Sequence, residues 1–321
     1  MAKKSQGVGD MVAKIIGLGV SSIDTFVMVE EFCKSDDKIW IKNFARQCGG
    51  VVANFCVGVA RNGVKSGFMG SAGDDPNGHE IMQNFKNHDM DMDHFFLKKE
   101  TKTPVNIIVV DSHGSRQILQ DSYMEKNVLS ADEIIADYVA KADIFHTDAV
   151  KIDAARKCMK IAKEAGKRVS FDLERHVAVY GLDAIKDLLG MTDILLPNRR
   201  GALELTKETD VRKAAKKLLS LGPEIVLITM GEDGSILVTS EGEHRVPIYK
   251  VENVVDTTGA GDCFNSAFIS SIYKGMTPRE AADFSSASAA LSVTKIGAQS
   301  MPTLKEVEKF LGSNPEKGTV R

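Results

Sequence analysis

The sequence lacks the features that mark a membrane protein, a disulfide-framed protein or a nucleic-acid binder. No apolar run approaches the roughly 20 residues of a membrane span, and no apolar signal core follows the N-terminal lysines. The five cysteines are odd in number and contain no C-x-x-C pair, which predicts reduced thiols in a cytoplasm. A formal net charge of −3 offers no basic footprint for nucleic acid. We therefore expect a cytoplasmic protein with neither membrane nor nucleic-acid partners.

Three familiar ligand motifs are also missing. The chain has no Walker A string, G-x-x-x-x-G-K-[ST], for nucleotide phosphates. The segment Gly17-Leu18-Gly19 begins like a dinucleotide fingerprint, but the third glycine and the later acidic residue are absent, which excludes a Rossmann dehydrogenase. The seven histidines show no metal-ligand spacing such as H-x-x-x-H. Any phosphate binding must therefore depend on another turn.

What is present is an ordinary globular composition with an α/β pattern. The chain has 321 residues, 43% apolar and 26% charged, enough for one large core. From residue 143 onward, strand-like runs alternate with helical segments that end near a glycine. The predicted strands are 143–147, 168–172, 193–197 and 225–230, and the predicted helices are 152–165, 178–189, 211–221, 261–273, 277–295 and 303–311. This alternation predicts a mostly parallel sheet with helices on both faces.

The N-terminal third has a different pattern. Residues 14–19 predict a buried strand, whereas 24–30 and 38–45 alternate as half-exposed strands do. Two further strands, 105–110 and 115–120, flank the turn signal Asp111-Ser112-His113-Gly114. The four half-exposed strands predict a small β-sheet that stands apart from the parallel core.

The most informative stretch is Asp256-Thr257-Thr258-Gly259-Ala260-Gly261-Asp262. It follows a strand-like run at 249–255 and opens an apolar run, so its glycines stand where a helix begins. The first N–H groups of a helix have no internal partner and carry partial positive charge, and glycine lets them close on an anion. A carboxylate directly beside an anion site suits proton removal from an attacking hydroxyl. The stretch therefore indicates phosphoryl transfer, although Asp262 alone would also suit a helix cap.

These residues resemble a known family. The string DTTGAGDCFNSAF at 256–268 is similar to the C-terminal signature of the PfkB/ribokinase family of carbohydrate kinases, and GGVVAN at 49–54 with GVKSGFMGSAGDDPNG at 63–78 resembles its earlier signature. The resemblance runs from about residue 14 to 303. It implies one ribokinase-like domain over 1–321, with a β lid formed by about 24–46 and 104–120. It also implies ATP-dependent phosphorylation of a sugar hydroxyl, with ATP and Mg²⁺ as cofactors.

The same resemblance assigns roles to individual residues. Asp262 matches the catalytic base, and the backbone of Gly259, Ala260 and Gly261 matches the anion hole. The positions that match substrate-binding residues are Asp24, Gly49, Gly50 and Asn54. The positions that match nucleotide-binding residues are Asn198, Thr229, Gly231, Gly234, Gly259, Gly261 and Gly297. In some family members a monovalent cation such as K⁺ lies near the positions of Asp256 and Thr258.

One position departs from the family pattern. Family members usually carry N-x-x-E, whose glutamate organises magnesium and its waters, but here Asn198 is followed by Arg199, Arg200 and Gly201. The nearest acid is Glu204, most of a helical turn away. The two arginines offer an alternative, direct contact with phosphate. Asp172, at the end of a predicted strand, is a further candidate at the functional sheet edge.

Alternatives of two classes stay open at this point. A nucleoside kinase needs a shelf for the base, which Phe26, Trp40 and Phe44 would provide. A catalytically silent sugar-binding regulator is suggested by Gly201 and opposed by the intact DTTGAGD string. The sequence does not name the sugar or decide whether the substrate already carries a phosphate. An exposed lid sheet also suggests a homodimer formed through the lid.

Overall fold

The computed structural model describes residues 13–113, 115–313 and 315–318. The strands are β1 (Ile15–Leu18), β2 (Ser22–Met28), β3 (Asn43–Gly49), β4 (Ser66–Gly73), β5 (Phe95–Lys98), β6 (Val105–Val110), β7 (Arg116–Leu119), β8 (Ile144–Thr147), β9 (Arg168–Phe171), β10 (Ile194–Leu195), β11 (Ile225–Thr229), β12 (Ser235–Thr239) and β13 (Gly242–Val246). The helices are α1 (Val51–Arg61), α2 (Pro76–Asn87), α3 (Ala136–Lys141), α4 (Ile152–Glu164), α5 (Arg175–Ala178), α6 (Leu182–Met191), α7 (Arg199–Thr206), α8 (Val211–Leu219), α9 (Ala260–Tyr273), α10 (Pro278–Ser292) and α11 (Leu304–Gly312).

The main sheet has nine strands in the order β13-β12-β11-β10-β9-β8-β1-β4-β5. Its strands pair in parallel from β11 to β5, whereas β12 and β13 are joined to that edge as antiparallel hairpins. Two large clusters of buried apolar side chains, one on each face, pack the sheet against the helices. The predicted α/β class with a mostly parallel sheet is therefore confirmed.

The small sheet contains four strands in the order β3-β2-β6-β7. It is mixed, because β2 and β6 are parallel while the two outer pairs are antiparallel. The strand period of two places Asp24, Asn106 and Arg116 on one face, and Phe44 and Ile107 on the other. The separate small sheet is thus confirmed, although residue Gly114 of its predicted turn lies outside the described residues.

The predicted strand at 38–45 was placed too early. The observed strand β3 begins at Asn43 because its partner β2 ends at Met28, opposite Asn43. Residues 38–42 have no strand beside them, and Trp40 is 87% exposed. In the other direction β3 continues to Gly49, which carries its pairing with β2 to the start of helix α1.

Two other predictions were wrong in detail. The single helix at 178–189 is two helices, α5 and α6, because Gly181 adopts a φ of 84° between them, and α6 continues through Gly190. The strand-like run at 249–255 is irregular apart from an isolated bridge at Tyr249. Its backbone turns instead toward helix α10, since the N–H groups of Val255 and Asp256 both donate to the carbonyl of Val293. In the described part of the chain, each helix is too short or too polar to cross a bilayer.

Candidate active site

Helix α9 begins at the glycine-rich turn, as the sequence predicts. Gly259 is its N-cap with a φ of 74°, and a Cβ at this position would lie 2.3 Å from the carbonyl oxygen of Ala298. A Cβ on Gly261 would instead meet nothing within 4 Å. The first glycine therefore fixes the turn against the loop behind it, while the second leaves open space in front of the helix.

The backbone donors of this turn differ from one another. The N–H of Ala260 donates to the carbonyl of Thr257 at 3.3 Å within the turn. Within the described residues, the N–H groups of Gly259 and Gly261 have no protein acceptor. These two donors point from the positive end of the helix dipole, which is the arrangement that favours an anion.

Asp262 lies directly behind these donors in the first turn of α9 and is half-buried. The side-chain amide of Asn54 donates from Nδ2 to Asp262 Oδ2 at 2.8 Å. Burial raises the pKa of Asp262 to about 8, and the Asn54 hydrogen bond opposes that rise. A carboxylate with a pKa near the working pH is suited to act as a general base.

Further carboxylates surround Asp262. Asp148 and Asp172 directly follow the neighbouring parallel strands β8 and β9, and both are buried. Burial raises the pKa of Asp148 to about 6, and burial together with the charges of Glu174 and Asp262 holds the pKa of Asp172 well above its usual range. The structure thus adds Asp148 and Glu174 to the candidate Asp172. Both lie just beyond the carboxyl end of a predicted parallel strand, and that position was a signal in the sequence for finding them.

Asp24 lies on strand β2 with its carboxylate directed at the same region. It accepts hydrogen bonds from Ser22 Oγ and Asn106 Nδ2, both at 2.9 Å, and it is 7% exposed. Burial raises its pKa against these two bonds. A Cβ on Gly49 would lie 2.0 Å from Asp24 Oδ2, so the carboxylate occupies the place of a missing side chain.

Gly50 and Asn54 lie in the first part of helix α1, directly after Gly49. Gly50 is the N-cap of α1 with a φ of 104°, and a Cβ there would lie 2.3 Å from the carbonyl oxygen of Val20. Asn54 is buried one turn later and bridges to Asp262. The two predicted groups, from 24–54 and from 259–262, are therefore joined in one site.

A cavity of about 460 Å³ lies between the small sheet and the edge of the main sheet. Its wall includes the carboxylates of Asp121, Glu125, Asp148 and Glu174 and the imidazole of His176. Among its described lining residues, none is lysine or arginine. The cavity is therefore strongly acidic.

The remaining predicted positions lie at the carboxyl ends of β10 and β11. Asn198 forms an isolated bridge to Thr229, and its side chain caps helix α7 by accepting from the N–H of Gly201 at 2.8 Å. Gly231 and Gly234 both have positive φ in the turn that leads to β12. Arg199 is already paired with Asp233, 2.5 Å from Nη2 to Oδ2, so the suggestion that it meets phosphate directly is not supported.

Asp256 ties the glycine turn to the loop after α10. Its carboxylate accepts from the N–H of Thr258 and from the N–H of Gly297, each at 2.9 Å. The small sheet reaches the same place, because Arg116 Nη1 donates to Thr258 Oγ1 at 3.1 Å. The predicted residues Asp256, Thr258 and Gly297 are thus brought together beside the glycine turn at 259–261, which we call the anion turn.

The departure at Gly201 has a steric cause. A Cβ at this position would lie 2.4 Å from the carbonyl oxygen of Leu173 and 3.2 Å from the carbonyl carbon of Glu174. Glu204 does not replace the glutamate of the N-x-x-E pattern, since its carboxylate pairs with Lys207 at 2.6 Å and with Arg175 at 3.8 Å. The main chain after β9 therefore occupies the place where a side chain at residue 201 would begin, and Glu174 continues from it.

The aromatic shelf considered for a nucleoside base is not assembled. Phe26 is 1% exposed and Phe44 is 57% exposed, and they point to opposite faces of the small sheet. Trp40 is exposed in the segment before β3. These side chains do not form a common surface.

Comparisons with known proteins agree with this geometry. The family model described as pfkB family carbohydrate kinase matches residues 13–304. A 5-dehydro-2-deoxygluconokinase of Shouchella clausii is 31% identical over 316 residues, which cover 92% of this chain and 95% of that protein. The structure of Arabidopsis thaliana ribokinase complexed with ribose and ATP superposes with a TM-score of 0.80 at 27% identity, covering 94% of this chain and 99% of that one. A putative ribokinase II from E. coli in complex with ATP and Mg²⁺ gives a TM-score of 0.82 at 25% identity, covering 94% of this chain and all of that one.

A doubly covered parallel sheet with a carboxylate beside a glycine-built helix N-terminus defines a phosphotransferase with an alcohol group as acceptor. The chain belongs to the pfkB family of carbohydrate kinases, and its reaction class is ATP-dependent phosphorylation of a sugar hydroxyl.

Proposed function

We propose that this kinase phosphorylates a hydroxyl group of an uncharged sugar, with Asp262 as the general base. The observation that carries the proposal is the position of Asp262. It stands behind two free backbone donors and bonds to Asn54. It also lies close enough to feel the charges of Asp148 and Glu174, which line an acidic cavity large enough for a small sugar. The reaction class comes from the family, whereas the residue roles and the charge of the substrate are proposals.

In the proposed reaction, Asp262 accepts the proton of the sugar hydroxyl as its oxygen attacks the γ-phosphorus of ATP. The new oxygen–phosphorus bond forms as the bond to the β-phosphate oxygen breaks, and ADP leaves. The N–H groups of Gly259 and Gly261 donate to the phosphoryl oxygens, where negative charge is held in the transition state. Ala260 joins them once phosphate draws its N–H from the carbonyl of Thr257.

The sugar is held by groups that match a polyol. Asp24 accepts hydrogen bonds from sugar hydroxyl groups, and the N-terminus of α1 at Gly50 donates from the backbone. Asn54 offers both a donor and an acceptor. Its amide therefore serves the sugar and Asp262 together. We assign the nucleotide to Asn198, Thr229, Gly231, Gly234 and Gly297, at the ends of β10 and β11 and beside the anion turn.

Magnesium fits this site as an ion held mainly by ATP phosphates and water. Among the described residues, no three acidic, histidine or cysteine side chains are placed to form a metal cage. Mg²⁺ commonly keeps its waters and takes only one or two carboxylates, and when bound it neutralises phosphate charge. Glu174 and Asp172 would hold its waters, because Glu174 continues from the backbone that fills the space beside Gly201. We therefore propose that the acidic group comes from the end of β9 rather than from α7.

The acidic cavity favours an uncharged substrate. Like charges brought together in a partly buried site repel each other. A sugar phosphate or sugar acid in the cavity would meet several carboxylates, and among the described lining residues His176 is the one basic side chain. Hydroxyl groups, in contrast, are good donors to carboxylates. The substrate is thus a neutral sugar, and the separated positions of Phe26 and Phe44 favour it over a nucleoside.

The small sheet acts as a lid in this proposal. It contacts the rest of the site through Arg116 to Thr258 and through Gln47 Nε2 to the carbonyl of Ile296 at 3.4 Å. Its inner face carries Asp24, so closure of the small sheet would bring the bound sugar into the site and exclude water, a competing nucleophile.

A monovalent cation such as K⁺ near Asp256 and Thr258 would stabilise the glycine turn at 259–261. Because both carboxylate oxygens of Asp256 already accept N–H groups, backbone carbonyls would be its main ligands.

A substrate panel tests the proposal. ADP release is measured with Mg-ATP and ribose, fructose, adenosine, inosine, 2-keto-3-deoxygluconate, ribose 1-phosphate or fructose 6-phosphate. We expect a neutral sugar to give a kcat/KM at least about tenfold above every anionic compound, since a repulsion of 1.4 kcal/mol already gives that factor. The variant Glu174→Gln should reduce the ratio of kcat/KM for neutral over anionic compounds, because it removes one negative charge from the cavity wall.

The result that contradicts the uncharged substrate is a sugar phosphate or sugar acid as the best substrate. A nucleoside as the best substrate would restore the nucleoside kinase hypothesis. ATP binding without turnover on any compound, together with tight sugar binding, would favour the regulator. The exposed residue Glu241 offers a matched control for Glu174, since Glu241→Gln makes the same change on a distant turn and should leave the preference unchanged.

We also propose that the protein is cytoplasmic and forms a homodimer through the outer face of the small sheet. All five cysteines are free thiols, which suits a reducing compartment. The outer face exposes Phe44, Ile107 and Leu119, and strands β3 and β7 are open edges. A contiguous apolar face with open strand edges is more stable when a second copy covers it.

The double variant Phe44→Glu, Leu119→Glu should be a monomer under conditions in which the wild-type protein is a dimer. In a symmetric interface each new glutamate would be buried opposite glutamates of the second copy, and no positive charge would be added to pair with it. Sedimentation equilibrium measures the mass. Ile135→Glu is the control, because Ile135 is 50% exposed outside the small sheet and should leave the mass unchanged. A wild-type protein that is monomeric at high concentration contradicts the homodimer.

A further inference from the structure

A row of amide side chains leads from Asp262 to the protein surface. Asn54 Nδ2 donates to Asp262 Oδ2 at 2.8 Å, and Gln299 Nε2 donates to Asn54 Oδ1 at 3.1 Å. Asn84 Nδ2 in turn donates to Gln299 Oε1 at 2.8 Å. The three amides come from helix α1, the loop after α10 and helix α2. The outer end lies in a groove of about 480 Å³ that Asn84 and Gln299 both line. We call these three residues the amide row.

The carboxylate at the inner end fixes the direction of the whole row. An ionised carboxylate only accepts hydrogen bonds, so Asn54 must present its NH₂ group to Asp262. The oxygen of Asn54 then faces Gln299, which must present its own NH₂ group. The oxygen of Gln299 is left for Asn84, which donates. Each amide therefore has one consistent orientation while Asp262 is ionised, and reversing any member reverses its neighbour.

The other groups around Asp262 oppose its ionised form. Glu174 and Asp172 face it from the end of β9, Asp148 from the end of β8 and Asp24 from β2. All of them are carboxylates. The favourable contributions are the N-terminus of α9 and the Asn54 amide. Burial and the neighbouring carboxylates both oppose ionisation of Asp262, and the Asn54 amide favours ionisation only when its NH₂ group faces the carboxylate.

We propose that Asn84 and Gln299 are positioning residues, which hold the Asn54 amide with its NH₂ group toward Asp262. The inference rests on the proposed role of Asp262 as the base. Neither residue touches the substrate or the reacting atoms in this scheme. They act by leaving Asn54, while Asp262 is ionised, only one orientation in which every amide of the row is satisfied by its neighbours. Asn54 itself is buried, where an unsatisfied amide is costly.

The test reverses the row from its outer end. In the variant Asn84→Asp, residue 84 becomes an acceptor, so Gln299 turns its NH₂ group outward and Asn54 turns its oxygen toward Asp262. The acidic limb of the kcat/KM–pH profile should then move up by about one pH unit, the size of a lost hydrogen bond to a charged group. Turnover should recover toward the wild-type value above that limb. A purely structural defect would lower activity at every pH.

Gln83→Glu is the matched control. Gln83 is the preceding residue on α2, and its amide donates to Asn87 Oδ1 outside the row. The variant adds the same charge one residue away on the same helix, so it measures the through-space effect without reversing the row and should shift the limb far less. Gln299→Glu is a second test variant, because it also replaces a donor by an acceptor inside the row and should shift the limb in the same direction as Asn84→Asp.

The inference would be overturned if the acidic limbs of the kcat/KM–pH profiles of Asn84→Asp and Gln83→Glu lay at the same pH, in proteins with wild-type melting temperatures. Failure of the proposed base is recognised separately, because Asp262→Asn would then retain turnover. The pKa of Asp262 can also be followed by ¹³C NMR of its carboxyl carbon in the unliganded protein. That measurement should show the same upward shift for Asn84→Asp without any dependence on the substrate chosen.

Discussion

Replacing Asp262 with asparagine should lower kcat by about 10²–10⁴-fold, the usual contribution of a positioned general base. Asparagine keeps the size of the side chain and leaves the backbone donors of Gly259 and Gly261 in place. Binding of ATP should therefore remain close to that of the wild-type protein. Steady-state turnover and equilibrium titration with nucleotide measure the two effects separately.

The control is Asp183→Asn. Asp183 is also an acid in the first turn of a helix, but it is exposed on α6 and has no place in the site. It should leave kcat unchanged. Near-normal turnover in Asp262→Asn would refute the role of the base, whereas loss of nucleotide binding in that variant would indicate a disturbed turn.

The same substitution should make the protein more stable at neutral pH. Burial holds the pKa of folded Asp262 at about 8, above its ordinary value of 3.8. The folded state therefore keeps a proton that the unfolded chain releases, and stability is lost as the pH rises through this interval. Asparagine cannot ionise. The gain in melting temperature of Asp262→Asn over the wild-type protein should widen from pH 5 to pH 8, and a constant difference would contradict the raised pKa.

The parts of the site that were predicted from the sequence are encoded locally. The glycine turn and Asp262 form one continuous string, and Gly49, Gly50 and Asn54 form another. In each string, backbone conformation and side-chain chemistry appear together, so the local pattern was sufficient. The alternation of strands and helices was equally local, and it predicted the parallel sheet and the edge at which the site lies.

The parts that were missed depend on contacts between distant segments. Asn84 and Gln299 are 215 residues apart in the chain, and an isolated amide carries no pattern. The steric reason for Gly201 lies in the backbone of Leu173, on a different strand connection. The segment 249–255 has the apolar pattern of a strand, yet among the described residues it joins neither sheet. The N–H of Lys250 donates instead to the carbonyl of Glu316, and the N–H of Val255 to the carbonyl of Val293 at the end of α10. Periodicity describes one segment, whereas these features need the partner segment as well.

The two glycines of the anion turn should respond to alanine in opposite ways. At Gly259 a Cβ would meet the backbone of Ala298 at 2.3 Å, and the φ of 74° is unfavourable for alanine by about 1–2 kcal/mol even without that contact. Gly259→Ala should therefore lower the melting temperature by about 1.5–3 °C from the backbone conformation alone, and by more once the contact with Ala298 is included. At Gly261 a Cβ would meet nothing within 4 Å and the backbone is helical, so Gly261→Ala should fold with wild-type stability or slightly above it.

The catalytic effect should separate from the effect on stability. In the proposed reaction, the transferred phosphoryl group approaches the backbone donors through the open space in front of Gly261. A methyl group there keeps the N–H but displaces the phosphate, so Gly261→Ala should lose about 10²-fold or more in kcat, comparable with removal of one oxyanion donor. Calorimetry and turnover, measured on the same samples, separate the effect on stability from the effect on catalysis. A stable Gly261→Ala enzyme with normal turnover would mean that phosphate does not approach this glycine, and the anion hole would then have to lie elsewhere at the sheet edge.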